Sequence, residues 1–205
     1  MPVIEITSFE ASEALLVNPS LYSMVLDIVS TAEGFISAYG GLQVEDRKTA
    51  YLSLTWESME CYKRAVANPR YPEMATKLSA AIVGNPDTLD YNFVEFRKDH
   101  TPSFDAPVTE LCTMQLREGR KAEELEAVLE PMHNVIAAAG FSGFHPPPTY
   151  GDFVGKSGLF LVTSGWDSAK DHHAARNNTT KPWVDKIHET VEVVSLVHVD
   201  FHKCT

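Results

Sequence analysis

Positive charge, cysteine and long apolar runs are all scarce in this chain of 205 residues, and each shortage excludes something. Lys and Arg number 17 against 28 Asp and Glu, which gives a net charge of −11. A phosphate backbone or an anionic membrane surface is repelled by that field, so neither nucleic acid nor a membrane is expected as a partner. The cysteines are Cys61, Cys112 and Cys204. An odd, sparse set is not a disulfide framework, and its spacing matches no zinc motif. Cys112, in mid-strand, reads as a buried structural thiol rather than a nucleophile. No apolar run reaches the ~18 residues of a transmembrane helix. The start, Met1-Pro2-Val3-Ile4-Glu5, has neither a basic n-region nor a long apolar stretch, so a cytoplasmic location is expected. The glycosylation-type sequences Asn177-Asn178-Thr179 and Asn178-Thr179-Thr180 are then read as ordinary surface.

Cofactor motifs are missing as well. There is no GxGxxG, no Walker A sequence and no GxSxG elbow. Gly155-Lys156-Ser157-Gly158 has the residues of a phosphate loop in the wrong order. His188-Glu189-Thr190-Val191-Glu192 lacks the second His of a zincin helix. No organic cofactor and no metal are expected. His198, Asp200 and His202 share a strand face, but at i+2 spacing their side chains fan out, which favours a polar lining over a metal site.

What the chain does contain is a repeat of itself. Leu54-Thr55-Trp56-Glu57-Ser58 and Ser164-Gly165-Trp166-Asp167-Ser168 both end an apolar run with Trp, an acid and Ser. Trp56 and Trp166, Asn68 and Asn178, and Pro72 and Pro182 are each 110 apart. Gly34-Phe35 matches Gly140-Phe141 at 106, and Val94-Glu95-Phe96 matches Val199-Asp200-Phe201 at 105. The drift calls for a longer loop in the first half, at Gly84-Asn85-Pro86-Asp87. Each half reads strand, helix, strand, strand, helix, strand. The strands are expected at 3–9, 35–44, 50–56 and 91–96, and at 108–116, 141–154, 159–166 and 195–201. The first helix begins near Pro19, with Leu21, Val25, Ile28 and Val29 on one side. Its counterpart carries Leu125, Val128, Leu129, Met132 and Ile136, with Pro131 as a point where it can kink. Gly34 and Gly140 are placed as the glycines that end these helices. Ser58 and Ser168, or the acids before them, cap the next ones.

That order is the ferredoxin-like βαββαβ unit, twice. With the Trp-acid-Ser step after the third strand, the chain resembles the dimeric α/β-barrel superfamily, which includes the antibiotic-biosynthesis-type monooxygenases. The resemblance implies an α+β fold of two tandem ferredoxin-like units whose sheets pair as an internal barrel. The units are expected at 1–100 and 108–205, joined by a linker at 101–107. The expected state is a monomer with an internal pseudo-dimer, a homodimer remaining possible. In the last strand Val197, Val199 and Phe201 face one way and His198, Asp200 and His202 the other, towards a partly polar barrel.

The halves differ in chemistry. Apart from His100 in the linker region, every histidine lies in the second half: His133, His145, His172, His173, His188, His198 and His202. At a spacing of 110, Met59, Tyr62 and Val66 of the first half become Ala169, His172 and Arg176, and Met74 and Leu78 become Val184 and His188. The first-half residues form an ordinary core face. The replacements remove bulk and bring polarity, and buried polar groups need a partner. A pocket is therefore expected between helix and sheet in the second half. His172, Arg176 and His188 are its candidate catalytic residues. Trp166, Tyr150, His145, Ala169 and Trp183 are its candidate substrate-binding residues. The alternative is a satisfied structural network, with Arg176 snorkelling to solvent. His173 and His133, matching Lys63 and Asp27, are placed on the surface.

The resemblance implies three functional classes. One is an enzyme without organic cofactor, a monooxygenase, cyclase or isomerase that moves a proton on an aromatic or enolisable, polyketide-like substrate. In it His172 acts as general base or acid, and Arg176 or His188 stabilises the anion. The others are a non-catalytic stress or ligand-binding protein and a haem-binding protein. Haem-degrading relatives use a His after a Trp, which Trp166 and His172 echo, and an Asn on the first strand, which neither half has. In each class the ligand is a small hydrophobic or aromatic molecule. If the sheets pair internally, residues 1–100 expressed alone will be unstable or self-associate, because an apolar sheet face is left bare. A well-folded monomer in sedimentation analysis would contradict the internal barrel.

Overall fold

The alternating apolar residues of Val3–Glu10 form β1, and those of Thr49–Trp56 form β3 beside it. The computed structural model describes residues 1–86 and 89–204. Helices Glu13–Val17 (α1) and Leu21–Val29 (α2) follow β1, and Phe35–Leu42 (β2) precedes β3. Met59–Val66 (α3), Tyr71–Leu78 (α4) and Asn92–Phe96 (β4) complete the first half. The second half opens with Thr101–Phe104 (α5) and Val108–Leu116 (β5), followed by Ala122–Ala139 (α6). Phe144–Phe153 (β6), Leu159–Trp166 (β7), Ala169–Ala175 (α7), Lys181–Thr190 (α8) and Val191–Val199 (β8) come next, and His202–Lys203 (β9) ends the chain.

The chain divides into two units, Met1–Glu95 with Phe201–Thr205, and Phe96–Asp200. In the first unit the antiparallel order is β4-β1-β3-β2, with β9 added beside β2. In the second it is β8-β5-β7-β6. Both are the ferredoxin-like arrangement, and the fold is α+β. Segment 101–107, expected as a linker, is folded: α5 carries the fully buried Phe104, and Ala106 is buried beyond it. Residues 201–205 are grouped with the first unit because Cys204 donates its N–H to Ala38 and β9 pairs with β2.

Several details differ from the sequence reading. The structural partner of Gly34-Phe35 is Gly143-Phe144, not Gly140-Phe141. Phe35 pairs with Trp56 and Phe144 with Trp166, and the carbonyls of Gly34 and Gly143 accept from Glu57 and Asp167. Both glycines have positive φ, +80° and +71°. A Cβ on Gly34 would strike the Cys61 sulfur and one on Gly143 the Asp171 carboxyl, so backbone geometry and space both require glycine. Gly140 does end α6 in the left-handed conformation, whereas α2 ends at Ser30, before Gly34. α6 continues through Pro131. The short α1 has no counterpart in the sequence reading. The long-loop expectation ends on Asp87, which lies outside the described residues, as does the side chain of Val25. Ser58 and Ser168 cap α3 and α7 by accepting from the N–H groups of Cys61 and Asp171.

In the first unit, helix and sheet close on Trp56, which meets Phe35 and Tyr62 edge-on at 5.7 and 6.0 Å. Tyr62 lies 4.6 Å from the Phe93 ring, and Met74 and Leu78 fill the space alongside. Val66 does not join them; it is 37% exposed at the end of α3. Inside this apolar layer sits Glu5, 3% exposed, accepting from Trp56 Nε1 at 3.1 Å. Burial raises its pKa from 4.5 to about 7, against the indole hydrogen bond. The folded chain therefore keeps this proton to about pH 7, whereas the unfolded chain releases it near 4.5. Stability falls as pH rises across that window, by roughly 3 kcal/mol in total at about 1.4 kcal/mol per unit. Glu5→Gln retains an acceptor for Trp56 and removes the titration. In urea unfolding at about pH 5 and about pH 8, the variant should gain on the wild type only at the higher pH. A variant that is weaker at about pH 8 would contradict this account of Glu5.

Candidate functional site

The second unit repeats this layer with different chemistry. Glu110 occupies on β5 the place of Glu5 on β1, opposite Ser164 on β7. Ser164 donates its hydroxyl to Glu110 Oε2. Trp166 Nε1 donates to Ser164 Oγ at 2.8 Å and more distantly to the same carboxylate at 3.4 Å. Phe144 packs on Trp166 at 5.0 Å, as Phe35 does on Trp56. The next two rings have changed: His172 stands where Tyr62 does, and His198 where Phe93 does. His172 lies 5.2 Å from the Trp166 ring. Its Nδ1 is 2.8 Å from His198 Nε2, and its Nε2 is 3.5 Å from Glu110 Oε1. His173 stacks on His172 from the exposed side of α7.

The result is a chain of Trp166, Ser164, Glu110, His172 and His198, buried except for the partly exposed Glu110. His172 is 8% exposed, and burial holds its imidazole below the ordinary pKa, against the opposing pull of Glu110. It is neutral at pH 7 and able to accept a proton. The long Nε2–Glu110 approach is wider than a hydrogen bond. That edge stabilises an imidazolium without being saturated by the carboxylate.

This network forms one end of a cavity of about 270 Å³ between the sheet and α6, α7 and α8. The remaining wall is largely apolar, from Met114, Met132, Ile136, Val162, Ile187 and Leu196. His172, Trp166, Arg176 and His188 all line it. Arg176 and His188 are exposed overall, not turned into the sheet as expected. Their positions at the end of α7 and one residue past the buried Ile187 put them at the mouth. Ala169 and Trp183 are outside the lining, where Ala175 and Val184 stand instead. Trp183 packs on the core cluster with Lys186 over its ring. Tyr150 is buried in that cluster. Its phenol, pushed up to about 12 chiefly by burial, is hydrogen-bonded to Glu130. His145 is turned to Asp167, 2.7 Å away and partly exposed.

Three placements overturn the sequence reading. His198 faces the helices and His172, not a barrel interior, because β8 presents Val191, Val193, Leu196 and His198 on the helix side across a bulge. His202 lies on β9 in the other unit. His133 is buried at the cavity wall, not on the surface, since α6 and α2 are not in a 106 register. Glu110 and Ser164 escaped notice, although the duplicated acid at the third position of an apolar strand, Glu5 and Glu110, was the available signal. Cys112 is buried as expected, and burial pushes its thiol up to about 12.

Among the described residues no three His, Cys, Asp or Glu side chains group as a metal site, and no helix is long and apolar enough to cross a membrane. A haem iron would need an imidazole nitrogen free at the Trp166 end. Of the two His172 nitrogens, Nδ1 is held by His198 at 2.8 Å and only Nε2, 3.5 Å from the Glu110 carboxylate, is open to a ligand.

No protein-family model and no curated protein matches the sequence. Solved structures do match. An anthrone oxidase-like protein is similar over 99% of this chain and 93% of its own, at 14% identity and a TM-score of 0.66. A candidate chlorite dismutase is similar over 99% and 95%, at 7% identity and a TM-score of 0.64. A candidate monooxygenase of Lactobacillus acidophilus NCFM is similar over 100% and 94%, at 10% identity and a TM-score of 0.63. At such identities the likeness is one of fold. The chain therefore shares the α+β fold of these solved structures, with two tandem ferredoxin-like units.

Proposed function

We propose that the second unit is a small-molecule enzyme that moves a proton on an aromatic or enolisable substrate, without an organic cofactor. The observation that carries this reading is a neutral, buried His172 backed by Glu110 and His198 at the polar end of an otherwise apolar cavity. An apolar pocket with a few convergent polar groups is the ordinary form of a small-ligand site. His172 Nε2 takes a proton from the substrate's hydroxyl or acidic carbon, and Glu110 stabilises the imidazolium. Trp166 and Ser164 hold Glu110 in place, and Arg176 at the mouth offers positive charge to the resulting enolate or phenolate. That anion is the common intermediate of oxygenation, cyclisation and isomerisation. The fold-level likeness to an anthrone oxidase-like protein and a candidate monooxygenase favours the first of these by analogy.

The test is turnover of enolisable phenols, followed by product formation and oxygen uptake. His172→Tyr imports the ring that the first unit already accommodates, so the fold should survive while activity falls by about a hundredfold or more. Glu110→Gln should lower activity by roughly tenfold or more, with the Ser164 hydrogen bond kept. Because the base works neutral, kcat/KM should be flat above neutrality and fall on the acid side, below the ordinary histidine pKa. Unchanged activity in His172→Tyr would refute the role. Ligand binding without any turnover would favour a non-catalytic binding protein.

A further inference from the structure

Among the described residues that line the second-unit cavity, Glu110 is the only carboxylate and Arg176 the only permanent cation. The two do not pair with each other. Glu110 is compensated by the Ser164 hydroxyl, the Trp166 indole and the edge of His172. The Arg176 side chain makes no hydrogen bond and no ion pair with the described residues. In a chain with 28 Asp and Glu against 17 Lys and Arg, an unclaimed arginine stands out. Arg97, Lys98, Arg120 and Lys181 of the same unit each hold a carboxylate, and Arg117 holds the His188 carbonyl. An arginine in open solvent needs no partner. Arg176, however, stands one turn beyond His172 at the end of α7, lines the cavity, and its charge acts on both His172 and Cys112. Its counterpart in the first unit is Val66, which carries no charge.

The cavity is therefore polarised along its length. It is negative at the inner end, apolar through Met114, Met132, Ile136 and Leu196, and positive at the mouth. A neutral ligand makes no use of that polarity, whereas a ligand with a carboxylate does. Glu110 repels the carboxylate from the inner end, and Arg176 attracts it at the mouth. A guanidinium fork matches the two oxygens of a carboxylate. For a phosphate dianion, one cation in a chain of net charge −11 is a poor match. We propose that Arg176 is the docking point for a carboxylate carried by the ligand, so that the second-unit cavity takes amphipathic acids, with the apolar body inside, the acid at the mouth and the group that meets His172 at the inner end. In the reading above, Arg176 steadies an anion that forms on proton transfer. A resident carboxylate draws on the same charge earlier, during binding.

This inference rests on the second-unit cavity being the substrate site, and its test separates the two. The probes are a hydroxynaphthoic acid with its two groups on opposite rings and the primary amide of the same acid, which differ in charge at one group alone. Affinity is measured by calorimetry on the full chain at pH 7. The wild type should bind the acid about tenfold more tightly than the amide, the worth of one charge-assisted contact at a partly exposed site. Arg176 is exposed and unpaired, so the fold should tolerate its replacement. Arg176→Gln should bring the ratio of the two affinities to about one, and Arg176→Glu should reverse the preference. An acid preference that survives Arg176→Gln, or an acid that binds the wild type no more tightly than its amide, would overturn the docking role and leave the His172 reading standing. Failure of the wild type to bind either probe would overturn both.

Discussion

Placing a carboxylate in the layer between a sheet and its helices costs several kcal/mol unless donors or a proton compensate it. Both units accept that cost at the same point. Glu5 and Glu110 lie on the helix-facing side of the first strand of each unit, and each is approached by the indole N–H of the tryptophan that ends the third strand. The tryptophan is in turn fixed by the glycine turn beneath it and by the serine-capped helix that follows. Strand register, turn and helix entry therefore all serve one buried pair.

The units differ in what surrounds that pair. In the first, Tyr62 and Phe93 close an aromatic layer over it, and Glu5 meets the cost by holding its proton to about pH 7. In the second, His172 and His198 replace those rings, Ser164 adds a donor, and the layer opens into a cavity. The same position is thus a stability liability in one unit and, in the function proposed above, the polarising group of the other. Both units seat a carboxylate under an indole, and the second differs by two ring replacements and by Ser164 in the place of Leu54.

Much of this was legible in the sequence because the repeat supplies its own comparison. β5 and β7 fall on their expected bounds, and the 110 spacing brought His172 to the tyrosine position. What escaped did so for identifiable reasons. Alternation along β8 gives two faces but not which one meets the helices, and a bulge shifts parity midway, so His198 was assigned to the wrong side. The helix-to-strand loops differ in length between the units, so the spacing is not constant along the repeat, and His133 and Gly34 were matched to the wrong partners. An acid on an alternating strand looks like a solvent-facing residue until its donor is known, and that donor, Trp56 or Trp166, is some fifty residues away. Arg176 and His188 were drawn into the interior by helical periodicity, which has no term for a mouth at the end of a helix.

The claim at the centre of this account is that His172 is the group that exchanges a proton with a ligand in the second-unit cavity. Nitrogen-15 resonances of the His172 and His198 rings, followed at pH 7 while a naphthol is added, report it directly. The account predicts a neutral His172, hydrogen-bonded to His198, in the free protein, and His172 signals that move towards imidazolium as the ligand binds. A ligand that binds while both rings keep their free-state shifts, or a His172 already charged at pH 7 without ligand, would contradict it.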